Sequence, residues 1–174
     1  PAFLILLCYL VRKFTKFDPG EEAIKTLAKI VCYALIANVF FFFCEAFVVY
    51  YSQIPEHTVH FNYLFFGSHG ADSLVPWMRT SIILMVVSAA LLVVPKFRNN
   101  MKILPVLCVL VFVGTWIDKG LGMISGGFVP SMMHYYTEYA PTRTELLITF
   151  GVFAVGFIVL TVLFKMAASI KEEV

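Results

Sequence analysis

The chain has 174 residues, of which 60% are hydrophobic and 16% aromatic, and its mean hydropathy is +0.87. Soluble domains are roughly half apolar, so this composition excludes an ordinary soluble domain and predicts an integral membrane protein. The formal net charge of +2 is too small to indicate a nucleic-acid partner.

The N-terminal segment, PAFLILLCYLV, is apolar but only 11 residues long. A helix needs about 20 apolar residues to cross a membrane. Arg12 and Lys13 follow the apolar run, whereas a signal peptide carries its positive charges ahead of it. We therefore interpret residues 1–22 as the end of a truncated transmembrane helix followed by a cytoplasmic loop, and we expect the whole protein to be longer.

Four further apolar segments are each predicted to cross the membrane as a helix. They cover residues 23–51, 80–94, 103–124 and 146–168. Backbone amides left unpaired in lipid cost several kcal/mol each, so helices are the expected form of these spans. The predicted fold class is all-α: a polytopic, antiparallel four-helix transmembrane bundle over residues 23–174, with loops at 52–77 and 125–144.

Basic residues predict the orientation, because lysine and arginine accumulate in short cytoplasmic loops. Only Arg79, Lys119 and Arg143 lie on the side of loops 52–77 and 125–144. The remaining basic residues lie on the opposite side: Arg12, Lys13, Lys16, Lys25, Lys29, Lys96, Arg98, Lys102, Lys165 and Lys171. We expect a multi-pass protein of the inner (cytoplasmic) membrane with its C-terminus in the cytoplasm and the two loops outside.

Two polar residues, Asn38 and Glu45, interrupt the apolar sequence of the first full span. They are seven residues apart, about two helical turns, so both are predicted on one face, which Ser52 extends. An intramembrane carboxylate is costly and marks a proton or substrate path, although it can also hydrogen-bond a neighbouring helix. Both interpretations of Glu45 stay open at this point.

The third full span ends in GTWIDKG, residues 114–120. Counting residues along the helix places Asp118 and Lys119 near the depth of Glu45. Asp118 is predicted to pair with Arg79 or Lys119, and Lys119 to approach Glu45. The other interpretation is that both are anchors reaching the lipid headgroups beside an interfacial Trp116. The predicted outer polar layer also includes Arg79, Arg143 and Glu145.

Histidines and cysteines give no pattern of a bound metal or haem. The histidines lie in the predicted outer loops, at His57, His60, His69 and His134. A b-type haem would need histidines inside two spans, so these are expected to be solvated or to exchange protons. The cysteines are predicted to be small buried side chains without CxxC spacing: Cys8, Cys32, Cys44 and Cys108.

The stretch YTEYAPTRTE, residues 136–145, carries a local start signal for the last span. Pro141 ends what precedes it, and Thr142 with Glu145 predicts a capping box. Glu138 lies outside this box, so it stays a functional candidate.

The motifs around the third and fourth spans resemble the C-terminal half of the NrfD-type integral membrane subunits of polysulfide reductase and related respiratory complexes. Within that family the chain is most similar to the subunit of the membrane complex associated with dissimilatory sulfite reduction. The pattern consists of W-x-x-K-G, G-F-x-P and Y-x-P-T-x-x-E. Here it is formed by Trp116, Lys119 and Gly120, by Gly127, Phe128 and Pro130, and by Tyr139, Pro141, Thr142 and Glu145.

This resemblance implies a subunit of two four-helix bundles that passes electrons between membrane quinone, such as menaquinone, and a ferredoxin-like iron–sulfur subunit on the outer face. It also implies that the chain itself binds no cofactor. Iron–sulfur clusters and haem would belong to partners, which include other membrane subunits and a multihaem cytochrome c. The four spans would be the second bundle. The first bundle, which holds the family's quinone pocket, is absent from these residues.

The predicted function is therefore that of a membrane subunit within a quinol-oxidising or quinone-reducing complex, with no catalytic residue of its own. The alternatives are half of a secondary transporter, which would require broken helices near the midplane, or a structural scaffold. The candidate proton-path or quinone-proximal residues are Glu45, Asn38, Asp118, Lys119, Arg79, Trp116, Glu138, Tyr139 and His69.

Overall fold

A computed structural model of the chain describes residues 1–14, 20–67, 72–123 and 142–172. These residues form helices and short turns, without a strand among them. Within them, 4 helices are long and apolar enough to cross a membrane. The predicted all-α fold class is confirmed, and the chain is a multi-pass membrane protein. It divides into two compact units, Pro1–Glu138 and Tyr139–Val174.

Helix α1 covers Ala2–Phe14 and helix α2 covers Glu21–Ser52, which is 32 residues. Helix α2 begins after Gly20, whose φ of 87° suits glycine. Glu21 and Glu22 in its first turn interact favourably with the helix dipole. Without an internal proline or glycine, α2 runs unbroken, as the sequence predicted.

Helix α3, Pro55–Phe65, lies inside the segment that was expected to be an outer loop. The turn before it uses Gln53, whose φ of 50° is left-handed, and Pro55 starts α3 in the first turn, where proline needs no amide partner. Helix α3 buries Phe61 and Leu64, which are spaced to share one face. Segment 52–77 therefore supplies a packed helix and is not only a connection.

Helices α4 (Val75–Val93), α5 (Pro95–Arg98) and α6 (Leu104–Trp116) each carry a proline in their first turn. Helix α6 continues into a π-helical stretch, Ile117–Gly122, hereafter the π segment. The second and third full spans thus agree with the predicted ones to within a few residues. The change from α to π geometry inside the third span was not predicted.

Side-chain hydroxyls bond backbone carbonyls in the turn before the π segment. Ser81 Oγ of α4 donates to the carbonyl oxygen of Gly114 at 2.7 Å. Thr115 Oγ1 donates to the carbonyl oxygen of Val111 at 2.7 Å. A π segment shifts the backbone hydrogen bonds from the i→i+4 pattern to i→i+5. Because lipid offers no hydrogen bonds, these hydroxyls stabilise the helix where its backbone pattern changes.

The first unit packs around two hydrophobic clusters, one at each end of α2 and α4, which run antiparallel. The cluster at the start of α2 and the end of α4, hereafter the apolar end, includes Ile5, Ile24, Val31, Cys32, Leu92, Leu104 and Cys108. The cluster at the opposite end, hereafter the polar end for the residues described below, is Val49, Phe61, Tyr63, Leu64, Phe65 and Met78. Cys32 and Cys108 are buried, as predicted, while Cys8 and Cys44 are half-buried.

Helix α7, Arg143–Glu172, forms the described part of the second unit. The Thr142 amide donates to Glu145 Oε2 at 2.7 Å, and the Glu145 amide donates to Thr142 Oγ1 at 3.4 Å. The predicted capping box is confirmed. Most of the described large apolar side chains of α7 are exposed, as expected of a helix whose surroundings are lipid or another membrane helix.

Candidate functional site

A cavity of about 290 Å³ lies at the polar end, hereafter the polar cavity. Among its described lining residues, four can carry charge or exchange protons: Glu45 of α2, His60 of α3, and Asp118 and Lys119 of the π segment. The remaining lining residues are Phe42, Phe61, Leu64, Phe65, Met78, Gly122 and Met123. Glu45, Asp118 and Lys119, which the sequence predicted at one depth of the membrane, therefore line one cavity in the structure.

Asp118 and Lys119 form an ion pair across neighbouring positions of the chain. Lys119 Nζ lies 3.0 Å from Asp118 Oδ2, and the two side chains are 61% and 10% exposed, respectively. Of the two partners predicted for Asp118, the structure shows Lys119. A carboxylate this buried needs such a partner, because an uncompensated charge in low dielectric costs several kcal/mol.

The π segment explains how consecutive residues reach the same cavity. In an α-helix, neighbouring side chains point about 100° apart, as 3.6 residues complete one turn. A π turn is wider and carries one extra residue, which redirects the side chains within it. The segment also lies close to α4: a Cβ added at Gly122 would be 2.8 Å from Met78 Cε. Gly122 therefore lets the segment approach the wall of the cavity.

Arg79 does not contact Asp118. Its Nε donates to the carbonyl oxygen of Phe65 at 3.0 Å, and its guanidinium carbon lies 6.0 Å from the centroid of the Phe66 ring. Phe65 is the last residue of α3, so Arg79 places a positive charge where the helix dipole is negative. Its role in the structure is to join α3 to α4. The predicted alternative in which Arg79 pairs with Asp118 is wrong.

Asn38 lies away from the polar cavity. Its Nδ2 is 3.2 Å from Met85 Sδ, and it lines a separate cavity of about 370 Å³ between α1, α2 and α6. Glu45 and Ser52, in contrast, line one common cavity. The predicted stripe on α2 thus holds for Glu45 and Ser52 but does not bring Asn38 to the same site. Trp116 is 52% exposed. It lines neither the polar cavity nor the cavity beside Asn38.

Aromatic rings form the apolar wall of the polar cavity. The ring centroids of Phe61 and Phe65 are 4.6 Å apart, and those of Phe42 and Phe65 are 5.6 Å apart. Tyr50 extends the cluster, with its centroid 5.6 Å from that of Phe61 and its hydroxyl 3.3 Å from Asn62 Oδ1. The rings therefore give the polar cavity one apolar side opposite its charged groups.

Two parts of the site were missed from the sequence. His60 was predicted only as one histidine of an outer loop, although the helical spacing of Phe61, Leu64 and Phe65 could have indicated α3. The π segment has no comparable sequence signal. Three candidates, His69, Glu138 and Tyr139, lie outside the described residues.

Residues 1–14, 20–67, 72–123 and 142–172 contain no group of three or more His, Cys, Asp or Glu side chains arranged to hold a metal ion. Comparison of the chain with protein-family models, with curated proteins and with solved structures found no match. The resemblance to NrfD-type subunits therefore stays a prediction, and the chemistry of the polar cavity is what bears on function.

Proposed function

We propose that this chain is part of a membrane subunit in a respiratory electron-transfer complex, where quinol such as menaquinol is oxidised and an iron–sulfur partner subunit accepts the electrons. The observation that supports this proposal is the polar cavity. It brings Glu45, His60, Asp118 and Lys119 together near the end of helices long enough to cross a membrane. Ionisable residues within membrane spans are rare and mark functional candidates, so the convergence of four such groups on one cavity favours a functional role.

The residues of the cavity fit the proton chemistry of quinol oxidation. One quinol loses two electrons and two protons when it becomes a quinone, so a nearby base has to accept the protons. The Glu45 carboxylate makes no hydrogen bond or ion pair to another described residue, whereas the Asp118 carboxylate is held by Lys119. Glu45 is therefore the carboxylate that can accept a proton without first breaking an ion pair.

The proposal also covers the partner subunits and the orientation of the chain in the membrane. The iron–sulfur subunit would be ferredoxin-like and would dock on the outer face, and a multihaem cytochrome c and further membrane subunits would complete the assembly. The chain would lie in the cytoplasmic membrane with its C-terminus inside the cell. Its basic residues support that orientation, because they concentrate on the side of the α4–α6 connection and of the C-terminus.

A secondary transporter is less consistent with the helices. Substrate sites in transporters are typically built at discontinuous helices near the midplane of the bilayer. Helix α2 is unbroken over 32 residues, and α6 continues into the π segment without a gap. The carboxylate of Glu45 therefore lies on an intact helix near one end of the bundle.

Purification of the protein from its native membrane, by a tag on its C-terminus, tests the proposal. We expect iron–sulfur and cytochrome subunits to purify with it, and we expect added menaquinol analogue to reduce their clusters and haems, as followed by EPR and optical spectra. A preparation that contains the intact chain but neither redox subunits nor quinol-dependent reduction would contradict the proposed function.

A further inference from the structure

A second cavity of about 220 Å³, hereafter the side cavity, adjoins the polar cavity. The two cavities share three lining residues: Glu45, His60 and Phe61. The side cavity adds His57 of α3 and Ser52 at the end of α2. One carboxylate, that of Glu45, and one imidazole, that of His60, therefore border both cavities.

We infer that the two cavities form one proton route, in which Glu45 and His60 carry protons from the polar cavity to His57 in the side cavity. This inference rests on the proposed function, which supplies the protons. It adds a direction of travel, toward the α2–α3 turn, and it assigns His57 as the residue that exchanges protons with solvent.

The spacing of the groups fits this route. His57 and His60 are three residues apart on α3, so their imidazoles share one face with about 5–6 Å between their Cβ atoms. His57 is exposed, whereas His60 is half-buried. A water molecule occupies about 30 Å³ of liquid, so cavities of about 290 Å³ and 220 Å³ have room for bridging water.

The charged neighbours of the route are few among the described residues. Helix α2 contributes Glu45, α3 contributes both histidines, and the π segment contributes the Asp118–Lys119 pair. From α4 the polar cavity receives only Met78. An imidazole is the side chain best suited to pass protons near neutral pH, because its ordinary pKa is about 6.5.

The proposed steps balance. Oxidation of one quinol to a quinone releases two electrons, which reduce iron–sulfur clusters of the partner subunit one at a time, and two protons. Each proton forms an O–H bond on the Glu45 carboxylate. That bond breaks as an N–H bond forms on His60, and the proton then moves to His57 and to solvent water. Every side chain returns to its starting state after each proton.

The native complex carrying His57→Ala tests the route by its rate of quinol oxidation. We expect a loss of about tenfold, smaller than the roughly hundredfold minimum of a fully required acid–base group, because water can partly replace an exposed imidazole. Added imidazole should restore most of the rate. Thr58→Ala is the matched control, since Thr58 lies on α3 but lines neither cavity, and it should turn over at the wild-type rate.

A double variant tests whether Glu45 and His57 act on one proton route or on two separate ones. If Glu45 and His57 act in series, the complex with Glu45→Gln and His57→Ala should be no slower than the slower single variant. Losses that multiply would overturn the single route, as would an His57→Ala complex that runs at the wild-type rate or is not rescued by imidazole. In each of these cases a wild-type complex that oxidises quinol leaves the proposed function intact. A wild-type complex that does not oxidise quinol overturns both.

Discussion

The two ends of the first unit share α2 and α4, but α1 packs with them at the apolar end and α3 packs with them at the polar end. At the apolar end, Ile5, Ile24, Leu92 and Leu104 are each 0% exposed. At the polar end, α2, α3, α4 and the π segment all line the polar cavity, α2 and α3 line the side cavity, and Glu45 lines both. From this comparison we predict that the apolar end supplies stability and that the polar end holds the chemistry of the proposed function.

The geometry of α6 produces this difference. Near the end of α6, a Cβ added at Gly114 would lie 3.2 Å from Met85 Cγ, so α6 and α4 are in close contact there. Beyond Trp116 the backbone becomes π-helical and turns Asp118 and Lys119 toward the polar cavity. π segments are frequent at functional sites, which agrees with this division.

Accessibility to reagents from the two sides of the membrane gives the largest expected contrast between the ends. In a variant without native cysteines, Ser73→Cys at the polar end should react with an impermeant thiol reagent in intact cells. Asn99→Cys at the other end should stay unlabelled until the cells are opened. Both residues are exposed, so burial does not decide the result. The reverse pattern would contradict the predicted orientation.

Leu104→Ala should separate stability from activity at the apolar end. Large-to-small substitutions in soluble cores cost about 2–5 kcal/mol. The lower value, about 2 kcal/mol, is expected here because lipid is as apolar as the core and only packing is lost. Leu10→Ala, at a position 55% exposed, is the control and should have little effect.

Thermal unfolding of the purified complex measures the stability change, and quinol oxidation per intact complex measures activity. We expect the Leu104→Ala complex to unfold at a lower temperature while its remaining molecules work at the wild-type rate. If its rate per intact molecule falls in proportion to its stability, the two ends are not functionally distinct.

Three glycine-to-alanine substitutions test the packing of α4 on α6 and on the π segment. Their expected effects on stability are smaller than that of Leu104→Ala. All three remove the same helix-propensity penalty, so differences among them report packing. Gly114→Ala should be the least stable, by about 1 kcal/mol relative to Gly120→Ala, because Leu84 Cβ at 3.3 Å cannot move without its helix. Gly122→Ala should fall between them, since the end of the Met78 side chain can rotate away. Equal stability of all three would show that close packing of α4 on α6 is unimportant.

The features predicted from the sequence are those set by local composition. Apolar stretches long enough to cross a membrane gave the four spans, and the spacing of Thr142 and Glu145 gave the capping box. Counting 1.5 Å per residue predicted Asp118 at the depth of Glu45, and the two residues line one cavity. Such predictions need only the sequence within one helix.

The features that were missed depend on contacts between helices. The π segment follows a turn in which Ser81 of α4 bonds the carbonyl of Gly114, and no pattern within residues 114–122 indicates that bond. Arg79 donates a hydrogen bond to the last residue of α3, a helix in a segment that was predicted to be a loop. Because α3 was not predicted, neither the partner of Arg79 nor the place of His60 could follow.

The central claim is that the polar end handles protons in quinol-linked electron transfer, and Glu45→Gln in the native complex tests it most directly. Glutamine keeps the shape of the side chain but cannot carry a proton. We expect normal assembly and a rate of quinol oxidation lower by at least about tenfold, given that acid–base groups contribute roughly a hundredfold or more. Glu22→Gln, the same change on the same helix at the apolar end, should leave the rate unchanged. Glu45→Gln and Glu22→Gln complexes that both turn over at the wild-type rate would contradict the account.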